Sequence, residues 1–305
     1  MGRLQWLRCK ERRRIGTSIT WERTPDVPQV YLDKEGRRHR ADAPYLLPKD
    51  EKEIQRLDYQ HFILRQVIKG NCFAPMHDLL LKQGGNVLDV GSGSGRWSYE
   101  IATAYPKTHM YGFDLEDVPH TASTPLNYQF YQGNVLNGLP FASHTFHYVH
   151  QRLLVAAIPL EKWPWVVAEM RRVAQPGGWI ELVEMGNTFH HAGPATRQFL
   201  AWWIAISASR GIDASKMSQV GVFLKQAGLT AIQMETKHLP VGSWGGRLGN
   251  LLAQNMLAGW PSMRPLAHSL LGASPEMFDE VIGRLEAEWN TSHTTYEVYF
   301  ACGRV

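Results

Sequence analysis

The chain has 305 residues, of which 44% are hydrophobic and 20% are charged. This is the composition of an ordinary folded protein of one large or two small domains, and it excludes a collagen-like repeat, a coiled coil and a largely disordered chain. The net charge is +4, yet residues 1–40 contain 11 Lys/Arg and only five Asp/Glu. We therefore predict a basic N-terminal arm, residues 1–44, on a near-neutral remainder, and we expect no nucleic-acid partner.

The three cysteines, Cys9, Cys72 and Cys302, lie far apart and form no C-x-x-C pair. That spacing favours neither a disulfide framework nor a bound metal ion. The longest strongly apolar run, residues 199–206, is far shorter than the ~20 residues of a transmembrane helix, and no signal-peptide pattern follows the first charges. We expect a cytoplasmic protein without a membrane partner.

Hydrophobic periodicity first predicts a hairpin in the arm and then a helical cap, residues 45–84. From residue 85 short apolar strands alternate with helices, which is the pattern of a parallel sheet with helices on both faces. The predicted strands are 29–32, 38–40, 87–90, 109–113, 128–131, 145–150 and 179–184, and the predicted helices are 50–68, 76–82, 97–105 and 160–173.

The last third of the chain departs from this alternation. We predict a lid helix at 194–210, an inserted helical segment at 240–293, and a final strand at 294–302 that completes the sheet. Residues 85–305 are therefore predicted to form one α/β core. The other elements predicted here are a helix at 218–227, a strand at 230–239, and inserted helices at 248–257 and 275–289.

A glycine-rich segment, Gly91-Ser-Gly-Ser-Gly95, follows the first core strand. Glycines there permit positive φ angles and let the backbone approach a ligand closely. The spacing is not the dinucleotide pattern G-x-G-x-x-G, because Arg96 stands at the third glycine, and no Lys-Ser/Thr pair follows as in a P-loop. Asp114 ends the second strand, where a carboxylate accepts hydrogen bonds from the two ribose hydroxyls of a nucleoside.

These residues, with Asp89 before the loop, Gly133-Asn134-Val135 after the third strand and the turn 176–179 before the fifth, resemble the motifs of class I S-adenosylmethionine-dependent methyltransferases. The resemblance covers about residues 50–190. It implies S-adenosylmethionine as cofactor and a Rossmann-like seven-stranded sheet of order 3-2-1-4-5-7-6. Asn134 departs from the family, in which Asp is frequent at this position. The cofactor-binding residues implied are Asp89, Gly91, Gly93, Gly95, Asp114, Leu115, Asn134, Val135 and Gln151.

Residues 45–61 and 177–184 resemble a narrower branch, which contains ubiquinone/menaquinone-type methyltransferases and fungal secondary-metabolism methyltransferase regulators. In that branch the first segment caps the cofactor pocket. The resemblance weakens after residue 240, so the substrate does not follow from it.

The sulfonium methyl group is a strong electrophile, so alignment and exclusion of water matter more than a catalytic base. If a base assists, the candidates are polar residues at strand ends or in the cap. A polar strand end satisfied by backbone, or an exposed loop, is the alternative role for each. The catalytic candidates are His150, Glu184 and His191, with Tyr45, His61 and His190 as further possibilities.

The leading hypothesis is methyl transfer to a small, largely apolar natural product of specialised metabolism, on carbon or oxygen, with nitrogen equally open. A prenylated indole alkaloid of the teleocidin type is one acceptor that the resemblance suggests. RNA or protein methylation and a non-catalytic regulator are the alternatives, and an oligomer formed through the arm is a further hypothesis. Large apolar residues of the lid and insertion support the first hypothesis, although core packing explains such residues more often: Phe199, Trp202, Trp203, Trp244, Met256, Trp260, Met263 and Phe278.

Overall fold

The computed structural model describes residues 30–33, 36–40, 43–117 and 124–305, so most of the predicted basic arm lies outside the described residues. The predicted hairpin is confirmed as β1 (Val30–Leu32) and β2 (Arg38–Arg40), which pair antiparallel. Arg38 and Arg40 both form ion pairs with Glu116, at 3.1 and 2.7 Å. The hairpin is therefore held against the segment that follows Asp114.

Two helices follow the hairpin, α1 (Glu51–Ile68) and α2 (His77–Lys82), within one residue of their predicted bounds. Asp50 caps α1 by accepting a hydrogen bond from the backbone N–H of Glu53, and acidic residues in the first turn complement the helix dipole. The buried face of α1 includes Ile63, Leu64 and Val67.

The central sheet has seven strands among the described residues. Five neighbouring strands are parallel, and the strand nearest the carboxyl end of the chain pairs antiparallel with both of its neighbours. Its order is β5-β4-β3-β6-β7-β9-β8, which is 3-2-1-4-5-7-6 counted from the first core strand, so the predicted fold is confirmed. The strands are β3 (Gly85–Val90), β4 (Thr108–Asp114), β5 (Tyr128–Gln132), β6 (Phe146–Arg152), β7 (Ala174–His190), β8 (Thr230–Pro240) and β9 (Thr295–Arg304).

Strand β7 is much longer than the predicted 179–184, because β9 pairs with it from Trp179 as far as His190. The Pro-Gly-Gly turn at 176–178 appears as an irregularity inside this strand, between the pairs of Ala174 and Trp179 with β6. Strand β6 also runs beyond its predicted end at His150, to Arg152.

The remaining helices are α3 (Arg96–Ala104), α4 (Trp163–Val173), α5 (Pro194–Ala208), α6 (Val220–Gln226), α7 (Gly246–Gly259), α8 (Arg264–Leu271) and α9 (Pro275–Ser292). Helix α8 was not predicted. Pro261 and Pro265 read as a helix break in the sequence, but Pro265 is the second residue of this helix, where proline is tolerated.

The core has parts on both faces of the sheet and a separate cluster under the lid helix. One large cluster packs α4 and α6 on the sheet, and another packs α1, α7 and α9 on β7 and β9. Residues of α5, α8 and α9 form their own cluster, which includes Trp202, Met263 and Phe278. The lid helix is thus packed on the inserted helices. Within the described residues, no helix combines the length and apolarity needed to cross a membrane.

Candidate functional site

Three adjoining cavities lie at the carboxyl ends of the parallel strands. The Asp114 cavity, about 60 Å³, lies between Asp114, Leu115, Asn134 and Val135. The glycine-loop cavity, about 70 Å³, is lined by Asp89, Gly91, Gly93, His150 and Arg152. The apolar chamber, about 120 Å³, lies between helices α1 and α5. Tyr45 of the cap segment lines all three.

The glycine loop has backbone angles that residues other than glycine adopt only rarely. Gly91 and Gly93 have φ angles of 74° and 55°. A Cβ atom at Gly91 would lie 2.5 Å from Leu154 Cδ2, in the wall shared by the Asp114 and glycine-loop cavities. Glycine therefore suits the conformation of this loop, and a side chain at position 91 would have to displace Leu154.

Asp114 fixes the loop and faces both small cavities. Its Oδ2 accepts a hydrogen bond from Gly93 N at 2.9 Å, and its Oδ1 accepts one from Glu116 N at 3.0 Å. Lys49 Nζ lies 3.7 Å from the same Oδ1. Because each carboxylate oxygen has two lone pairs, both retain capacity for a ligand hydroxyl.

The far wall of the Asp114 cavity is a short turn after β5. The Asn134 side-chain oxygen accepts a hydrogen bond from Leu136 N at 3.0 Å and caps this turn. Leu115 and Val135 give the wall an apolar surface. A flat aromatic group with polar edges matches such a wall.

Arg152 supplies a half-buried cation to the glycine-loop cavity. Its Nη2 lies 3.1 Å from His61 Nδ1, and His61 Nε2 lies 3.3 Å from Glu100 Oε2. Burial lowers the pKa of the Arg152 guanidinium, although nearby carboxylates, Asp89 foremost, oppose that effect. An anionic group bound in this cavity would offset the cost of burying the Arg152 charge.

The apolar chamber shares part of its wall with the glycine-loop cavity. Tyr45, Leu57, Gln60 and Leu153 line both spaces, so a group held in one adjoins a group held in the other. Trp260 stacks on Phe199 with ring centroids 4.0 Å apart, and both rings line the chamber. The described residues that line the chamber include no Asp, Glu or His.

One side of the chamber is polar. Arg56 donates from Nε and Nη2 to the carboxylate of Glu53 at 2.8 and 2.7 Å, and from Nη1 to Asn255 Oδ1 at 3.2 Å. The Tyr45 hydroxyl lies 3.4 Å from Glu53 Oε1. This network ties α1 to α7, and Arg56, Asn255 and Tyr45 present it to the chamber.

Comparisons with known proteins agree with this geometry. Residues 87–178 match the family model described as "Methyltransferase domain". The chain is 26% identical over 264 residues to "Methyltransferase pytC" of Aspergillus terreus, covering 81% of this chain and 79% of that one. It is 27% identical over 221 residues to "N-methyltransferase sirN" of Leptosphaeria maculans, covering 70% and 77%. The chain is a class I S-adenosylmethionine-dependent methyltransferase.

Solved structures of similar shape include two methyltransferases. A putative sarcosine dimethylglycine methyltransferase from Galdieria sulphuraria has a TM-score of 0.49 and 11% identity, with 85% of this chain and 92% of that chain covered. Phosphoethanolamine N-methyltransferase 2 of Haemonchus contortus has a TM-score of 0.46 and 16% identity. That comparison covers 81% of this chain and 58% of the Haemonchus chain, so this chain spans less than two thirds of it.

The two small cavities of the methyltransferase fit its cofactor, S-adenosylmethionine. The fit rests on three features: glycines whose positive φ angles let the backbone approach a ligand, an acid with spare acceptor capacity, and a half-buried cation beside the loop. The glycines let the backbone approach such a molecule, the acid suits its ribose hydroxyls, and the cation suits its carboxylate. Of the cofactor residues expected from sequence, the structure brings seven to these cavities: Asp89, Gly91, Gly93, Asp114, Leu115, Asn134 and Val135.

His150 lies in the glycine-loop cavity, not in the chamber. Its Nδ1 is 2.9 Å from Asp89 Oδ1, and its ring stacks on Trp97 at 3.8 Å. Its Nε2 has no hydrogen-bond partner among the described residues and lies 4.0 Å from Glu181 Oε1. The imidazole thus supports Asp89, whose other oxygen accepts a hydrogen bond from Ser98.

Glu184 is fully buried and lines none of the three cavities. Its carboxylate accepts hydrogen bonds from Gln151 Nε2, Leu154 N and Val155 N, at 2.5, 2.8 and 3.2 Å. Glu184 thereby fixes the segment 153–155, whose side chains line all three cavities. Leu153 in this segment has a φ of 57°. Burial raises the pKa of Glu184 to about 8, despite these hydrogen bonds.

We expect this raised pKa to make the methyltransferase less stable at alkaline pH. Because the folded pKa of Glu184, about 8, lies above the ordinary 4.5, its contribution is complete in acid and is lost as pH rises through 8. Between about pH 7 and 8 the free energy of unfolding should fall by roughly 1 kcal/mol more in the wild type than in Glu184→Gln. Urea unfolding at both pH values measures this, with the exposed Glu161→Gln as control. Equal pH slopes in all three proteins would contradict it.

Three other predicted site residues also lie outside the cavities. His191 is exposed, with a φ of 56°, between β7 and α5. Gly95 is the N-cap residue that precedes α3, and the Gln151 side chain donates a hydrogen bond to Glu184. Sequence reasoning did not identify Lys49, Gln60 or the polar side of the chamber, because polar residues in and just before a helix such as α1 look like an ordinary solvated face.

The large apolar residues of the lid and insertion divide between the chamber and other places. Phe199, Trp203, Met256 and Trp260 line the chamber. The rest do not: Trp202, Met263 and Phe278 are buried in the cluster beneath the lid, and Trp244 is 37% exposed.

Proposed function

We propose that this methyltransferase transfers a methyl group to a small, largely apolar natural product of specialised metabolism. The observation that carries the proposal is the apolar chamber, which adjoins the glycine-loop cavity along Tyr45, Leu57, Gln60 and Leu153. The relatives support it, because several are fungal proteins named as N-methyltransferases, and a laeA secondary-metabolism regulator is similar as well.

In this proposal Asp114 binds the ribose, and Leu115, Asn134 and Val135 hold the adenine. Asp89 and the backbone of Gly91 and Gly93 face the amino acid end, with Arg152 opposite its carboxylate. Gly95 and Gln151 act indirectly, through α3 and Glu184. When bound, S-adenosylmethionine supplies the electrophilic methyl group, and the protein orients the acceptor and excludes water.

The chamber restricts the acceptor by size and by chemistry. Its volume of about 120 Å³ is close to that of a cavity that holds one benzene ring, so a single ring or branched alkyl group fits. The polar side formed by Arg56 and Asn255 positions a carbonyl or hydroxyl of the acceptor. A prenylated indole alkaloid agrees with the apolar lining, but nothing beyond that lining supports it.

The chemistry of the lining favours an acceptor atom that is nucleophilic without a base. No carboxylate or imidazole lines the chamber among the described residues, and His150 and Glu184 are engaged elsewhere. A neutral amine nitrogen meets this requirement, since its proton can leave after transfer. We therefore place nitrogen ahead of oxygen and carbon as the acceptor.

Paired tryptophan variants test the chamber. Trp203→Ala should raise the KM for the acceptor about tenfold or more, since it removes apolar contact area worth about 1.5–3 kcal/mol, and should leave cofactor affinity unchanged. Trp244→Ala, outside the chamber, should change neither. Labelled S-adenosylmethionine is supplied with aromatic amines, phenols, prenylated indoles, bulk RNA or protein, and the methylated product is measured.

Label found only in small molecules, with the Trp203→Ala defect, supports the proposal. Label in RNA or protein would contradict it. Full cofactor binding without transfer to any acceptor would favour a non-catalytic regulator instead.

A further inference from the structure

A second cluster of chemically active side chains lies at the ends of strands β7, β8 and β9, away from the cofactor cavities. It consists of His190, His238 and Glu297, one from each strand, and one nitrogen or oxygen atom of each lies within 4.8 Å of the others. His238 stands directly opposite Glu297, and His190 stands opposite Thr295, two residues before Glu297. Residues two apart on a strand share a face, so the sheet register itself brings the three side chains together.

The distances leave one histidine without a good hydrogen bond. His190 Nε2 lies 2.7 Å from Glu297 Oε1, whereas His238 Nδ1 lies 3.7 Å from that same oxygen. The second distance is too long for a hydrogen bond. Two imidazoles thus converge on one carboxylate oxygen that serves only one of them.

The carboxylate is held in place from behind. The Tyr299 hydroxyl donates to Glu297 Oε2 at 2.5 Å and lies 3.2 Å from Thr188 Oγ1, which leaves Oε1 directed at the histidines. Burial opposes ionisation of Glu297, but hydrogen bonds from Tyr299 and His190 outweigh it, so the pKa of Glu297 lies below its ordinary value. Outer partners of this kind orient the ligands of protein metal sites.

We propose that His190, His238 and Glu297 bind one divalent transition-metal ion, with Zn²⁺ as the natural occupant. Two imidazole nitrogens and one carboxylate oxygen are ligands that Zn²⁺ accepts, and three protein ligands leave a fourth position for water. The histidine side chains are 42% and 54% exposed, so an ion can reach them from solvent. A metal ion would satisfy both histidines at once. The cluster uses none of the cysteines whose spacing argued against a metal site.

The proposed ion would lie on the opposite side of the sheet from the apolar chamber. Phe189 and Tyr296 are the chain neighbours of His190 and Glu297, they pair across β7 and β9, and both line the chamber. A metal ion joining the three strands would therefore fix the strand ends that form this part of the chamber wall. We infer a structural role for the ion, because none of the three ligands lines the chamber or the two small cavities.

Metal titration of the full-length, chelator-treated protein tests the proposal without any measurement of methyl transfer. We expect one equivalent of Zn²⁺ by calorimetry, one equivalent of Co²⁺ with a visible absorption band of a nitrogen-containing site, and a higher Tm with Zn²⁺. His238→Ala and Glu297→Gln should each weaken binding about tenfold or more. His109→Ala, which removes an exposed histidine of β4, should leave binding unchanged.

Two results would overturn the proposal. One is the absence of stoichiometric Zn²⁺ binding in the wild type. The other is equal Zn²⁺ affinity in the wild type and in folded His238→Ala, because His238 is a strand-surface residue whose loss should not unfold the sheet.

Discussion

Asp114→Ala is expected to weaken binding of S-adenosylmethionine by about 10- to 100-fold, which corresponds to roughly 1–3 kcal/mol. Two effects combine. The substitution removes the acceptor for the ribose hydroxyls, and it also removes the partner of the Gly93 backbone N–H, which in the wild type donates to Asp114 Oδ2 at 2.9 Å. Calorimetry with S-adenosylhomocysteine measures the change.

Asp117→Ala is the matched control, since Asp117 is an exposed acid three residues further along the chain. It should bind the cofactor product like the wild type. Unchanged affinity in a folded Asp114→Ala protein would remove Asp114 from the cofactor site and with it the central contact of the proposal.

Glu53→Gln should lower the free energy of unfolding by about 3–5 kcal/mol, the range found when one partner of a buried ion pair is removed. Glu53 is 3% exposed and holds Arg56 through two hydrogen bonds, so the variant leaves a buried guanidinium without its counter-charge. The KM for the acceptor should also rise, because Arg56 lines the chamber. Denaturant unfolding and steady-state kinetics measure the two effects.

Two further proteins make this test specific. Glu51→Gln changes an exposed acid in the same helical turn and should have little effect. The double variant Glu53→Gln/Arg56→Met should recover part of the lost stability, because no unpaired charge remains. A single variant as stable as Glu51→Gln would show that the network contributes nothing to joining α1 and α7.

Much of the fold was predictable because its signals are local. Short apolar strands, glycine turns and helices alternate along the chain, and parallel strands joined in this way leave few possible topologies. Strand β7 was predicted too short because its second half depends on pairing with β9, more than a hundred residues away. Helix α8 was missed because Pro261 and Pro265 resemble a helix break, although Pro265 lies in the first turn of the helix, where proline is tolerated.

The candidate site also combines residues with local sequence signals and residues that only long-range contacts bring together. Gly91, Gly93 and Asp114 were recognisable because the cofactor site depends on a loop and a strand end that are close in sequence. Arg56 and Asn255 are 199 positions apart, so nothing local marks them as partners. Glu184 was predicted as a catalytic candidate from its place at a strand end, and only the structure shows that its carboxylate binds the backbone of 154–155.

Composition alone did not show whether the 11 tryptophans lie in the core or line a pocket. Trp97, Trp163 and Trp289 are buried in the core, whereas Trp203 and Trp260 line the chamber. A large indole ring fits either environment, since both remove its apolar surface from water. Periodicity identifies the buried face of a helix, but it does not distinguish a packed core from the wall of a pocket.

A crystal structure with S-adenosylhomocysteine is the most direct test of the central claim, that the apolar chamber receives the methyl group. The measured quantity is the position of the cofactor sulfur. We expect a sulfur atom in contact with the wall shared by Tyr45, Leu57, Gln60 and Leu153, with its methyl direction open to the chamber. A sulfur atom that faces away from this wall, with the chamber closed to it, would show that the chamber does not receive the methyl group.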